Sequence, residues 1–179
     1  SLREKLGTRA GRQRLLLDDG HAVLVLHYVP RPNEHGRRPA VFWRQPDGSW
    51  RCSPGADTIE TLRAHLESYS AALEAIDEKL EEAKRATEYF VILRQVRPLQ
   101  RAARNLHSVM TALRDAFPLD GEILALRDRA YDIERNAELE TGDAENGLSF
   151  MVAQRAEEQA EASSRIARET HRLNLLAAI

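Results

Sequence analysis

Between residues 121 and 179 the chain contains no proline, and apolar or small residues recur at helical spacing throughout. Ordinary globular helices run three or four turns, so a helix of this length cannot be supported by local propensity alone and needs a partner along its side. Gly142 and Gly147 are its weak points, because glycine is the poorest helix former after proline. The alternative is therefore two helices joined by a loop at Thr141-Gly142-Asp143.

The rest of the chain divides sharply. Residues 1–55 hold five of the seven prolines, and their short apolar runs favour strands. Residues 21–29 read as a buried strand, residues 13–17 precede an Asp19-Gly20 turn, and residues 40–44 and 49–52 flank Pro46-Asp47-Gly48, a strong hairpin signal. Trp43 and Trp50 are expected to face each other across that hairpin. This gives a β-rich module of about four short, mostly antiparallel strands.

Residues 56–179 form a long-helix region. Asp57 with Glu60 three residues later is a capping-box-like start, and Leu62, Leu66, Tyr69, Leu73, Ile76 and Leu80 lay one apolar stripe along a helix over about 57–84. A second helix, about 88–116, carries Phe90, Leu93, Val96, Leu99, Ala103, Leu106, Met110 and Leu113, with a kink or break expected at Pro98. Pro118 ends it, and Asp120 is placed to cap a third helix over 120–179. The fold class is thus α+β: a small N-terminal sheet followed by three long helices, the last stalk-like.

The last helix repeats in sevens. One position is Ser149, Ala156, Ser163, Thr170 and Ala177; a second is Ala153, Ala160, Ala167 and Asn174; Val152, Gln159, Ile166 and Leu173 border them. At about 100° per residue these positions make one stripe of coiled-coil type. Small residues there allow close backbone approach, or leave a narrow space on an axis between identical helices. The seam Ala156, Ala160, Ser163, Ala167, Thr170, Asn174 and Ala177 is accordingly a candidate pore-lining or axis surface. Tight packing on a neighbouring helix of the same subunit is the competing explanation. Just before the apolar run at residues 173–179 stand Arg165, Arg168, His171 and Arg172, the arrangement found on the cytosolic flank of a membrane span, although arginines near a helix end are also routine dipole partners.

Composition removes several function classes. With 26 Lys and Arg against 28 Asp and Glu, the net charge of -2 leaves no nucleic-acid footprint. A lone cysteine, Cys52, cannot make an intramolecular disulfide or a thiolate zinc centre, which points to a reducing compartment. The six histidines have no spacing that builds a zinc site, and no nucleophile elbow, phosphate loop or dinucleotide fingerprint is present. No enzyme is expected.

Three segments taken in order resemble the CorA family of magnesium and related divalent-cation channels. Leu93-Arg94-Gln95-Val96-Arg97-Pro98-Leu99 is similar to the family's arginine-rich helix with its Pro-Leu step. Leu126-Arg127-Asp128-Arg129-Ala130-Tyr131-Asp132 resembles its Arg-Asp, Tyr-Asp segment, and His171-Arg172-Leu173-Asn174 resembles the approach to its first membrane helix. The likeness covers residues 89–179. It implies the cytosolic metal-sensing and gating part of a divalent metal ion transport protein, carrying magnesium or else cobalt, nickel or zinc. It further implies a homopentamer, a cytoplasmic location beside the cell membrane, and a stalk that continues past Ile179 into the pore. In that family the asparagine matching Asn174 faces the pore.

The same resemblance puts a regulatory divalent cation, magnesium first, at Asp128, with Asp132 one residue out of step but four residues along the same face. Arg127, Arg129 and Arg135 crowd both carboxylates, so ordinary surface ion pairs are the alternative. Glu157, Glu158 and Glu161 alternate with arginines and read as a solvated face. A different function class, a self-contained helical scaffold or adaptor that dimerises through the long helix as a coiled coil, fits the same periodicity.

Overall fold

A computed structural model describes residues 11–31, 36–53 and 55–177, with side chains through Asn174. Four strands come first: β1 (Arg14–Asp18), β2 (His21–His27), β3 (Pro39–Arg44) and β4 (Trp50–Ser53). They form one antiparallel meander in the order β1-β2-β3-β4. Three helices follow: α1 (Ile59–Glu82), α2 (Ala86–Ala116) and α3 (Gly121–Ala177).

Turn chemistry fixes the sheet's register. Asp18 pairs with His21, and the two residues between them, Asp19 and Gly20, have φ of 47° and 75°. Positive φ at both central positions marks a two-residue hairpin turn whose twist matches the strands. In the β3–β4 hairpin the Gln45 N–H donates to the Ser49 carbonyl at 2.8 Å, and Asp47 Oδ1 accepts from the Ser49 N–H and hydroxyl. Gly48, with φ of 85°, closes that loop.

This register corrects one expectation. Trp43 lies opposite Arg51 and Trp50 opposite Arg44, so the two indoles are on opposite faces and do not stack. Loop length decides the pairing, and one residue of register inverts every side chain. Trp50 is buried with Ala22, Leu24, Leu26, Ala40 and Phe42 on the face that joins the helical core. Trp43 is half-exposed and donates from Nε1 to His21 Nδ1 at 3.1 Å.

A second correction concerns Asp57. The N-cap of α1 is Thr58, without a side-chain cap. The Asp57 carboxylate instead accepts from the Cys52 N–H at 2.9 Å and from Arg51 at 2.7 Å, tying the end of β4 to the approach to α1. These bonds hold its pKa below the usual carboxylate range. The third concerns α2, which runs unbroken through Pro98 and begins at Ala86, with Glu88 reaching back to the N–H groups of Lys84 and Arg85. Packing of Val96, Leu99 and Ala103 against the core holds the helix across the missing N–H. Asp120 does cap α3: its Oδ1 accepts from the Ile123 N–H at 3.3 Å.

Polar stitches join sheet to helices. Gln13, buried, donates to the Ala102 carbonyl at 2.7 Å and accepts from the His27 N–H. Arg44 at the end of β3 pairs with Asp120 at 3.1 Å and lies over the Phe117 ring, 4.2 Å from its centroid. Truncating Arg44 removes a stacked guanidinium and strands a half-buried carboxylate. Arg44→Ala is expected to lower stability by about 1–3 kcal/mol in urea unfolding, whereas Arg44→Lys, which cannot stack flat, recovers only part of it.

Candidate functional site

The third helix is the feature that sets this fold apart. Along its first half one stripe is buried: Ile123, Leu126, Ala130, Ile133, Ala137, Thr141 and Ala144, with Leu148 packed at the margin. The intervals of three and four residues are those of one helix face. Ion pairs flank the stripe, Arg97 to Glu145 at 2.8 Å, Arg129 to Glu67 at 2.7 Å, and Arg104 to both Glu134 and Glu138. His107 Nδ1 meets Glu134 Oε2 at 2.5 Å between α2 and α3. Most of these groups are solvent-exposed, so they set register more than stability.

No loop forms at Thr141-Gly142-Asp143; α3 is continuous from Gly121 to Ala177. Thr141 is buried and its hydroxyl donates to the Ala137 carbonyl at 2.7 Å. Gly147 is there for another reason than flexibility: a Cβ on it would overlap the Tyr89 ring of α2. The glycine allows close crossing rather than a break.

Beyond Met151 every described side chain of α3 is exposed. Residues 152–177 therefore stand clear of the body by roughly 40 Å at 1.5 Å per residue. Ala156, Ala160, Ser163, Ala167, Thr170 and Asn174 are all exposed and meet no other element among the described residues; the side chain of Ala177 lies outside them. Val152, Ile166 and Leu173, which border the seam, are 55 %, 64 % and 66 % exposed. Extending the buried stripe at 100° per residue leads to Arg155, Gln159, Ala162, Ile166 and Leu173. The small-residue seam is rotated from it by roughly a quarter of a turn. The seam thus adjoins the continuation of the intramolecular stripe, and beyond Met151 both stand exposed.

Asp128 and Asp132 are exposed on the same outward side of α3. Asp128 holds Arg127 at 3.0 Å, while the neighbouring Arg129 pairs with Glu67 of α1 and Arg135 with Glu138. Two carboxylates one turn apart offer hard oxygen donors, enough for part of a magnesium or calcium shell completed by water or a second chain. Among the described residues no group of three or more His, Cys, Asp or Glu is placed to hold a metal ion. Glu157, Glu158 and Glu161 are exposed.

Sequence reasoning missed one acidic grouping. Glu140 of α3 has its carboxyl pushed up by burial and by the charges of Asp77 on α1 and Asp143. Asp77 comes near it only through helix packing, so periodicity had no signal for it.

The architecture defines a class: an antiparallel four-stranded sheet followed by three long helices, the third projecting free. No protein-family model and no curated protein matches the sequence. Among solved structures, the cytoplasmic domain of ZntB from Vibrio parahaemolyticus RIMD 2210633 is similar to this chain. The match has 17% identity and a TM-score of 0.50, over 87% of this chain and 82% of that one. At that identity the likeness is one of fold.

Proposed function

We propose that this chain is the cytosolic metal-sensing and gating domain of a CorA-like divalent-cation transport protein, with α3 as the stalk that leads into the pore. One observation carries this reading: α3 leaves the body of the chain after Met151 and carries an unburied ridge of small residues, about a quarter of a turn from its intramolecular stripe. The fold it shares with the cytoplasmic domain of ZntB supports it. So does the order of the three resembling segments. Among the described residues no helix is long and apolar enough to cross a membrane; in this reading the crossing segment follows Ile179. The chain has no catalytic role, and in the full-length protein, a homopentamer, this domain lies on the cytoplasmic side of the membrane.

Asp128 and Asp132 would hold a regulatory magnesium ion at the face between neighbouring copies. When bound, the ion supplies positive charge that offsets carboxylate repulsion across that face. Without it, the carboxylates of adjacent copies repel and favour the arrangement in which the stalks separate. Any bias on the gate equals the difference in affinity between the two arrangements.

Millimolar magnesium is expected to raise the melting temperature or promote association. At ten times the dissociation constant the stabilisation is about 1.4 kcal/mol, a rise of a few degrees. Asp128→Asn with Asp132→Asn should abolish it. No shift in the parent protein argues against sensing, and an unchanged shift in the double variant moves the ligands elsewhere. Reading the natural frame beyond Ile179 separates this proposal from a coiled-coil adaptor: an apolar span followed by Gly-Met-Asn supports the transporter, and an immediate stop supports the adaptor.

A further inference from the structure

Where the sheet meets the helices, His65 of α1 is only 6% exposed. Three aromatic rings cage it, with centroids at 5.5 Å for Tyr28, 5.3 Å for Phe42 and 5.8 Å for Tyr69. Its Nε2 is buried and has no hydrogen-bond partner among the described residues. The ring's hydrogen bond is to the backbone of His27, whose carbonyl also accepts from the Tyr69 hydroxyl at 2.7 Å. A neutral imidazole suits this place, packed as one more aromatic ring. An imidazolium does not, because it brings a second N–H without an acceptor and a full charge without a counter-ion.

The groups that face the ring are of the wrong sign to help. From the end of β2 and the residue after it come His27, whose charge disfavours protonation of His65, and Tyr28, whose ring lies under the Arg38 guanidinium at 5.1 Å. From α1 comes Tyr69, and from β3 the apolar ring of Phe42. The acid nearest in sequence, Glu67, is half-exposed and paired with Arg129 of α3 at 2.7 Å. No carboxylate among the described residues hydrogen-bonds His65.

We propose that the His65 cage is an acid-sensitive joint between the sheet and α1, which closes on the neutral imidazole and opens when the ring is protonated. The proposal stands apart from the transport reading. Burial pulls the His65 pKa from 6.5 to about 4. Above pH 6.5 the ring is neutral whether the joint is closed or open, and pH has no effect through it. As pH falls from 6.5 towards 4 the open joint takes up a proton that the closed joint refuses, so closure weakens progressively and the full loss is reached near pH 4. The apolar residues of the α3 stripe do not themselves titrate.

Both tryptophans of the chain, Trp43 and Trp50, lie in the sheet. Trp43 donates to His21 Nδ1, a bond that protonation of His21 removes, so Trp50 in a Trp43→Phe background reports the sheet, while far-ultraviolet circular dichroism reports the helices. On acidifying the whole chain, the tryptophan signal is expected to change before helicity does. His65→Phe, which fills the cage without a titratable nitrogen, should move the tryptophan midpoint down by about one pH unit. His27→Gln removes a ring whose own Nε2 is also buried without a partner among the described residues and whose charge disfavours protonation of His65; it should move the midpoint less than His65→Phe does. Coincident transitions that His65→Phe does not move, or a midpoint that follows His27 instead, overturn the proposal. If His65→Phe folds poorly, NMR of the histidine rings in the parent chain decides. A His65 signal that stays neutral until the sheet signal changes supports the joint, and one that titrates near its ordinary value with the sheet intact overturns it.

Discussion

Ile133→Ala is expected to destabilise the protein by about 2–5 kcal/mol, whereas Ile166→Ala on the same helix should stay within about 0.5 kcal/mol. The residue type, the helix and the chemistry of the change are identical; only the surroundings differ. Ile133 is 1% exposed, between α3 and the rest of the core, so truncation removes buried methylenes and leaves a cavity that the packed helices cannot fully close. Ile166 is 64% exposed on the projecting rod, so truncation leaves no cavity. Urea denaturation of the two variants measures the contrast. Ile166→Ala should instead show itself in self-association, read by analytical ultracentrifugation of the full-length protein. A large stability loss for Ile166→Ala would mean that the rod folds back on its own subunit, and the stalk reading would fail with it.

The second large effect is expected at Gly147. Gly147→Leu places a branched side chain where the Tyr89 ring already sits, and that ring is held by a hydrogen bond from its hydroxyl to the Ala83 carbonyl at 3.1 Å. α3 must then move away from α2 or Tyr89 must leave its place, at a cost of about 1–3 kcal/mol or more. Gly142, five residues earlier, has open space where its Cβ would be. Gly142→Ala is therefore expected to stabilise by about 0.5–1 kcal/mol through helix propensity alone. Thermal melts of the two variants should shift in opposite directions. If both were stabilising, neither glycine would be needed for packing.

Those two glycines show where the sequence is silent. Periodicity alone marks both as weak points of a long helix, and it cannot tell a tolerated glycine from one that a neighbouring ring requires. That difference depends on Tyr89, which lies on another helix. Trp43 and Trp50 give the same lesson in the sheet: the Pro46-Asp47-Gly48 turn was legible, but its loop length, hence the register that separates the indoles, was not. Asp57 looked like a helix cap by spacing, yet the backbone of Cys52 and the guanidinium of Arg51 claim its carboxylate. His65 carried no signal at all, because its isolation from any counter-ion arises where β2, β3 and α1 meet.

Composition and periodicity by themselves determined that a small antiparallel sheet precedes three long helices, and that the last helix has a ridge of alanine, serine, threonine and asparagine. Turn residues, proline placement and the three-and-four spacing are local signals, and local signals are readable from one strand of text. The tertiary structure alone decided which stretch of that helix is buried, that its small-residue ridge stands exposed beyond the body, and that a histidine is caged without a counter-ion. Burial is a property of what packs against a residue, and those neighbours come from distant parts of the chain.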